Sequence, residues 1–186
     1  MDNKVSNQSR RKLLQALGAG SVVAGAASIT QPALAASKIK TNAHSVILGS
    51  GLGGIAMANR LSSMLDGAKI TIVDGKEEHN YQPGYTLVAS GVWPIEKVRD
   101  RNADFHPSGI TWVKEMVDEI DAPANTITTA GGQKIKYDYL VVATGLVMDW
   151  NLIEGMDLNA IGSNGLASVY PSPQAAEATW KAMQEY

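Results

Sequence analysis

The sequence predicts an α/β domain of Rossmann-like construction, with a parallel sheet and a small antiparallel β meander set against it. Three observations predict it. A short apolar run at residues 45–48 feeds directly into Gly49-Ser50-Gly51-Leu52-Gly53-Gly54, a G-x-G-x-x-G turn placed where a buried strand would become a helix. A helix-period segment and a second strand, Lys69–Val73, follow and end at Asp74. Later, residues 139–143 (Y-L-V-V-A) read as another buried strand, closed by Thr144-Gly145.

Each element has a physical reason. Gly49 allows a tight turn, Gly51 lets backbone approach a pyrophosphate with no Cβ in the way, and Gly54 lets the helix pack closely on the strand. The helix N-terminus then presents unpaired N–H groups to anionic oxygens. After Gly54 the apolar residues Met57, Leu61, Met64 and Leu65 recur at helical spacing, with Gly67 as the stop. Asp74 stands about 20 residues past the glycines, where an acidic side chain accepts hydrogen bonds from an adenosine ribose.

Residues 75–91 read as a loop. Glu77, Glu78 and His79 are adjacent in sequence and do not converge on one ion, so no metal site is expected. His44 and His106 are isolated and read as structural. Tyr81-Gln82-Pro83-Gly84-Tyr85 combines a stiff backbone, aromatic faces and an amide able to bond a cofactor. Residues 110–120 read as one partly alternating strand, followed by a turn at 121–125 and by strands at 126–129 and 134–136 separated by Gly131-Gly132. These make the meander. A Gly/Asn/Ser-rich loop spans residues 161–168. Ser172-Pro173 then supplies an N-cap and a first-turn proline for a helix running toward Tyr186.

Composition narrows the function classes. The 186 residues suit one ordinary domain. The formal net charge is −2, and four basic residues (Lys4, Arg10, Arg11, Lys12) fall in the first 35 beside one acid, Asp2. The remainder is more acidic still, with no basic patch for nucleic acid. The chain has no cysteine, which excludes a disulfide framework, a thiolate metal site and a redox cysteine pair within it. Arg10-Arg11, a mildly apolar run and Ala33-Leu34-Ala35 mark residues 1–35 as a Tat-type signal peptide, implying periplasmic localisation. The apolar run falls short of the ~20 strongly apolar residues of a spanning helix. A dinucleotide fold behind such a signal favours a tightly held flavin over exchangeable NAD. Residues 36–186 are then an FAD/NAD(P)-binding domain.

Taken together, V-I-L-G-S-G-L-G-G, Asp74, H-N-Y-Q-P-G-Y-T-L-V-A-S-G, K-Y-D-Y-L-V-V-A-T-G and the late S-V-Y followed by A-T-W resemble the sulfide:quinone oxidoreductases. These are flavoproteins with two dinucleotide-binding domains, and the resemblance covers residues 44–186. It implies FAD as cofactor, with Gly49, Ser50, Gly51, Gly53 and Gly54 cradling the pyrophosphate and Asp74 holding the ribose. It also implies that Gln82 touches the cofactor, that Val117 meets the adenine through its backbone, and that Thr144 and Gly145 close the site. The implied reaction takes electrons from sulfide through FAD to quinone, forming polysulfide or sulfur.

The cysteines, second nucleotide-like domain, Gly-Asp flavin segment and apolar quinone region of that family have no counterpart here, so no catalytic residue is assigned. The chain reads as incomplete relative to the family and inactive by itself. Membrane association is expected only through the part it lacks. Two other readings stand beside this one. The first is the flavoprotein subunit of a flavocytochrome c sulfide dehydrogenase, passing electrons to a c-type cytochrome; a cysteine-free Tyr81 loop favours quinone and non-covalent FAD instead. The second is a non-catalytic nucleotide-binding fragment.

Overall fold

Residues 37–185 are described by a computed structural model; the expected signal peptide lies outside them. A short lead-in strand, β1 (Ile39–Lys40), precedes β2 (His44–Leu48) and the helix α1 (Leu52–Met64). Then come β3 (Leu65–Asp66) and β4 (Lys69–Val73). β1 pairs in parallel with β3, and β2 with β4 in the register His44–Lys69 to Leu48–Val73.

The face of α1 that meets the sheet differs from the expected one. Gly54, Ile55 and Ala58 are buried and Leu61 packs on the core, whereas Met57 and Met64 are exposed. The cause is the closeness of helix and strand, since a Cβ on Gly54 would overlap the Gly49 carbonyl. Gly54 therefore takes the point of close approach, beside buried Ile55 and Ala58, and the long methionines point away. Gly67 has a positive φ of 84°, yet it turns the chain after β3. The helix itself ends at Met64, where the Leu65 N–H caps the Leu61 carbonyl.

The stretch expected as a loop over 75–91 is largely built. It contains β5 (Glu78–Asn80), a 3-10 turn at Gln82–Gly84 and the short helix α2 (Tyr85–Ala89). β5 pairs antiparallel with β6 (Arg99–Arg101). Tyr85, Val88 and Ala89 are buried with Val98 and with Ala176 of a later helix, forming a separate apolar cluster. That partner lies far along the chain, so local periodicity could not reveal it.

The expected single strand over 110–120 is two strands in two different sheets. β7 (Thr111–Val113) joins the parallel sheet beside β4, while β8 (Val117–Asp121) opens the meander with β9 (Thr126–Thr129) and β10 (Lys134–Lys136). Between the two strands the side chains leave in different directions. Lys114 pairs with Glu77, and the Glu115 carboxylate accepts from the Gly131 N–H. β11 (Tyr139–Val142) completes a four-stranded parallel sheet in the order β11-β2-β4-β7. It is an edge strand, not a buried one, with Tyr139 and Val142 exposed. α3 (Pro173–Gln184) closes the described chain, its N-cap Ser172 Oγ accepting from the Ala175 N–H.

Alternation along β2 divides the core into two layers. Val46 and Leu48 face Ile127, Ile135 and Tyr137 of the meander side. Ile47 faces the other way, with Ile70, Ile72 and Ala58 of α1. The parallel sheet is thus covered by a helix on one face and a three-stranded meander on the other, leaving the C-terminal ends of its strands together at one rim.

Candidate functional site

At that rim, the four parallel strands stop in step, joined by three hydrogen bonds. The Gly49 N–H donates to the Val73 carbonyl at 2.9 Å, the Asp74 N–H to the Val113 carbonyl at 3.1 Å, and the Ala143 N–H to the Leu48 carbonyl at 2.8 Å. The glycine loop, Asp74 and the Thr144-Gly145 turn therefore emerge side by side. In open α/β sheets this is where a crevice for ligands forms.

The glycines divide into two jobs. Gly49, at φ +102°, lies under Ala143 and Thr144, and a Cβ there would overlap the Ala143 carbonyl. Gly54 is closed in the same way by the Gly49 carbonyl. Gly51 is the opposite case: nothing stands within 4 Å of the place its Cβ would occupy. Gly51 is also the N-cap of α1, has no side-chain cap and precedes a first turn without acid. The leading amides of α1 thus lack intrahelical partners next to an open Gly51, an arrangement that suits an anion. A Cβ on Gly53 would stand at ordinary contact distance, 3.9 Å, from the Ala143 side chain.

Asp74 is braced by the backbone on both carboxylate oxygens. The Ser50 N–H donates to Oδ2 at 2.6 Å and the Lys76 N–H to Oδ1 at 2.8 Å. Each oxygen retains a lone pair for a further donor. The fit to an adenosine ribose and pyrophosphate is therefore good: an open glycine before free amides, and an oriented acid beside it.

Val117 begins β8, half-buried against the Val46–Leu48 face of the core. Its neighbour Met116 places its sulfur 3.3 Å from where a Cβ of Gly75 would stand, so this strand start abuts the chain just beyond Asp74. Gln82 is exposed and opens the 3-10 turn that leads into α2. Gly145, at φ +76°, is open on its Cβ side. Glu77, Glu78 and His79 disperse to Lys114, Arg99 and Asn102.

His106 departs from expectation. It is not isolated, because its Nε2 lies 2.7 Å from Ser50 Oγ inside the glycine loop. Burial holds its imidazole below the ordinary 6.5, opposed by the Asp74 carboxylate. A polar residue at the first variable position of the glycine motif was the available sign, since a buried hydroxyl there needs a partner.

Strand ends that present such a cradle beside such an acid define a dinucleotide-binding α/β domain. Within that class, the family model described as pyridine nucleotide-disulphide oxidoreductase matches residues 43–180, and the chain belongs to this family. Its members are FAD-binding flavoproteins. The mitochondrial sulfide:quinone oxidoreductase of Dictyostelium discoideum is 39% identical over 134 residues, covering 72% of this chain and 29% of the relative. The mitochondrial sulfide:quinone oxidoreductase of Mus musculus is 34% identical over 151 residues, covering 79% and 32%. The crystal structure of the sulfide:quinone oxidoreductase of Aquifex aeolicus superposes with a TM-score of 0.60 at 31% identity, covering 77% of this chain and 32% of that one. The chain spans about a third of the length of these relatives.

Proposed function

We propose that this chain is the FAD-binding portion of a flavoprotein that oxidises sulfide and delivers the electrons to a quinone. The observation that carries the reading is the open Gly51 cradle braced to Asp74, set within a segment whose relatives are sulfide:quinone oxidoreductases. When bound, FAD supplies a two-electron acceptor that can be reoxidised by a quinone.

The chain's own part is binding and orientation. The amides at the start of α1 and the backbone of Gly49, Ser50, Gly51, Gly53 and Gly54 receive the pyrophosphate. Asp74 accepts from the ribose hydroxyls through its remaining lone pairs. Thr144 and Gly145 bound the crevice from the β11 side, Val117 lies toward the adenine, and Gln82 contributes its amide from the 3-10 turn. No thiolate is available in this chain to accept sulfur, so sulfide chemistry requires cysteines from outside it. Residues 1–35 act as a Tat signal, which places the folded domain in the periplasm.

The test titrates the purified chain with FAD, then adds sulfide and a short-chain quinone. Non-covalent FAD binding without quinone reduction is expected, with turnover appearing when the chain is extended through its downstream reading frame. Rapid FAD-dependent turnover by the 186 residues alone, or no flavin binding at all, overturns the proposal.

A further inference from the structure

We infer that His106 is a positioning residue of the nucleotide cradle, fixing the glycine loop against Asp74 through the Ser50 hydroxyl. This rests on the FAD reading above. Four residues form a closed ring at the rim of the sheet. Asp74 Oδ2 accepts from the Ser50 N–H, and Ser50 Oγ meets His106 Nε2 at 2.7 Å. The His106 ring stands edge-on to the Trp112 indole, 4.7 Å between centroids at 88°, and the Trp112 Nε1–H donates back to the Asp74 carbonyl at 3.0 Å. The ring joins the glycine loop, the residue after β4, the segment before β7 and β7 itself.

Ser50 is fully buried, so its hydroxyl must be satisfied from inside the protein. His106 is in turn held in place. The Asn59 side chain of α1 donates to the Phe105 carbonyl at 2.9 Å, tying this segment to the helix that starts at the cradle. Without His106, the Ser50 peptide would be oriented from the strand side by Asp74 alone. With it, the loop is gripped at both its amide and its side chain.

The trio is not a Ser-His-Asp catalytic relay. Each Asp74 oxygen accepts from a backbone amide and neither is bonded to His106, while the serine is closed to solvent. Positioning is what the geometry leaves.

The test measures ADP and FAD binding to the full chain by calorimetry, alongside melting of the apo form. His106→Phe keeps a ring against Trp112 and removes the hydrogen bond; it should weaken both ligands about three- to tenfold. Ser50→Ala should do the same, and the double variant should be no weaker than either single one. His106→Gln, whose amide can reach Ser50 Oγ, should return affinity to within about twofold of the parent. Unchanged ADP and FAD affinity in His106→Phe and Ser50→Ala, with only the melting temperature lowered, overturns the positioning role and leaves the FAD reading standing. Fully additive losses in the double variant overturn it as well. A parent chain that binds neither ADP nor FAD overturns both.

Discussion

The Ser50 amide donates to Asp74 Oδ2 at 2.6 Å across the gap between the first loop and the end of β4. Loop and acid are therefore tied into one unit. Asp74→Ala removes both the proposed ribose acceptor and this brace. Hydrogen bonds to a charged group contribute about 1.5–3 kcal/mol, so FAD should be held about tenfold to a hundredfold less tightly. Equilibrium dialysis of wild type and variant decides it, and equal flavin content in the two would remove Asp74 from the site.

Gly51 and Gly54 should fail in different ways when replaced by alanine. At Gly54 the methyl collides with the Gly49 carbonyl, which forces helix and strand apart and costs at least about 1–3 kcal/mol. Thermal melting should show that loss without ligand present. At Gly51 the methyl meets no atom, so the apo melting temperature should stay nearly constant. ADP affinity should nevertheless fall at least about tenfold, because the methyl stands where phosphate approaches. A Gly51→Ala chain that binds ADP normally argues against a phosphate at this place.

Two histidines predict a pH dependence of stability. His44, whose Nε2 lies 2.8 Å from Thr71 Oγ1, and His106 are both held below the ordinary 6.5, mainly by burial. Their neutral forms are favoured in the folded chain, so below about pH 6.5 the unfolded chain binds more protons. Stability should be full above that pH and decline as pH falls from 6.5 toward the depressed native values. The lowered carboxyls Glu78 and Asp104 act only at lower pH, below their ordinary 4.5 and 3.8. Urea midpoints at pH 7.5 and 5.5 should differ in the parent and differ less in His44→Gln/His106→Gln. An equal difference in both would assign the pH effect to other groups.

Export is checked through Arg10-Arg11. A reporter fused behind residues 1–40 should reach the periplasm, and replacing both arginines with lysine should leave it in the cytoplasm. Continued export of the lysine form would assign the segment to another route.

The elements that could be read from sequence are those with a local signature. β2, the glycine loop, β4 and Asp74 each carry their own periodicity or special residue, and so do the hairpin strands β9 and β10. What escaped depends on partners distant in the chain. Tyr85 and Val88 look like loop residues until Ala176 packs on them. The 110–120 run looks continuous because nothing local marks that its two halves pair with different strands, β4 and β9. His106 carries no spacing or period of its own, and its meaning comes from a hydroxyl 56 positions earlier. In the site, the glycines and acid were legible as a motif, while the bracing between them was not.

The register of β11 on β2 has a consequence for the order in which this molecule assembles. Val142 aligns with Leu48, and Ala143 roofs Gly49. Between them lie α1, β4, the α2 segment and the entire meander. Closing so long an intervening stretch is slow compared with forming a helix or hairpin. On a growing polypeptide the glycine loop emerges early and waits, lacking its roof until residue 143 has been made and docked. Cofactor capture is thereby a report that the parallel sheet has closed, and a nascent chain arrested before β11 will carry the motif without the cradle.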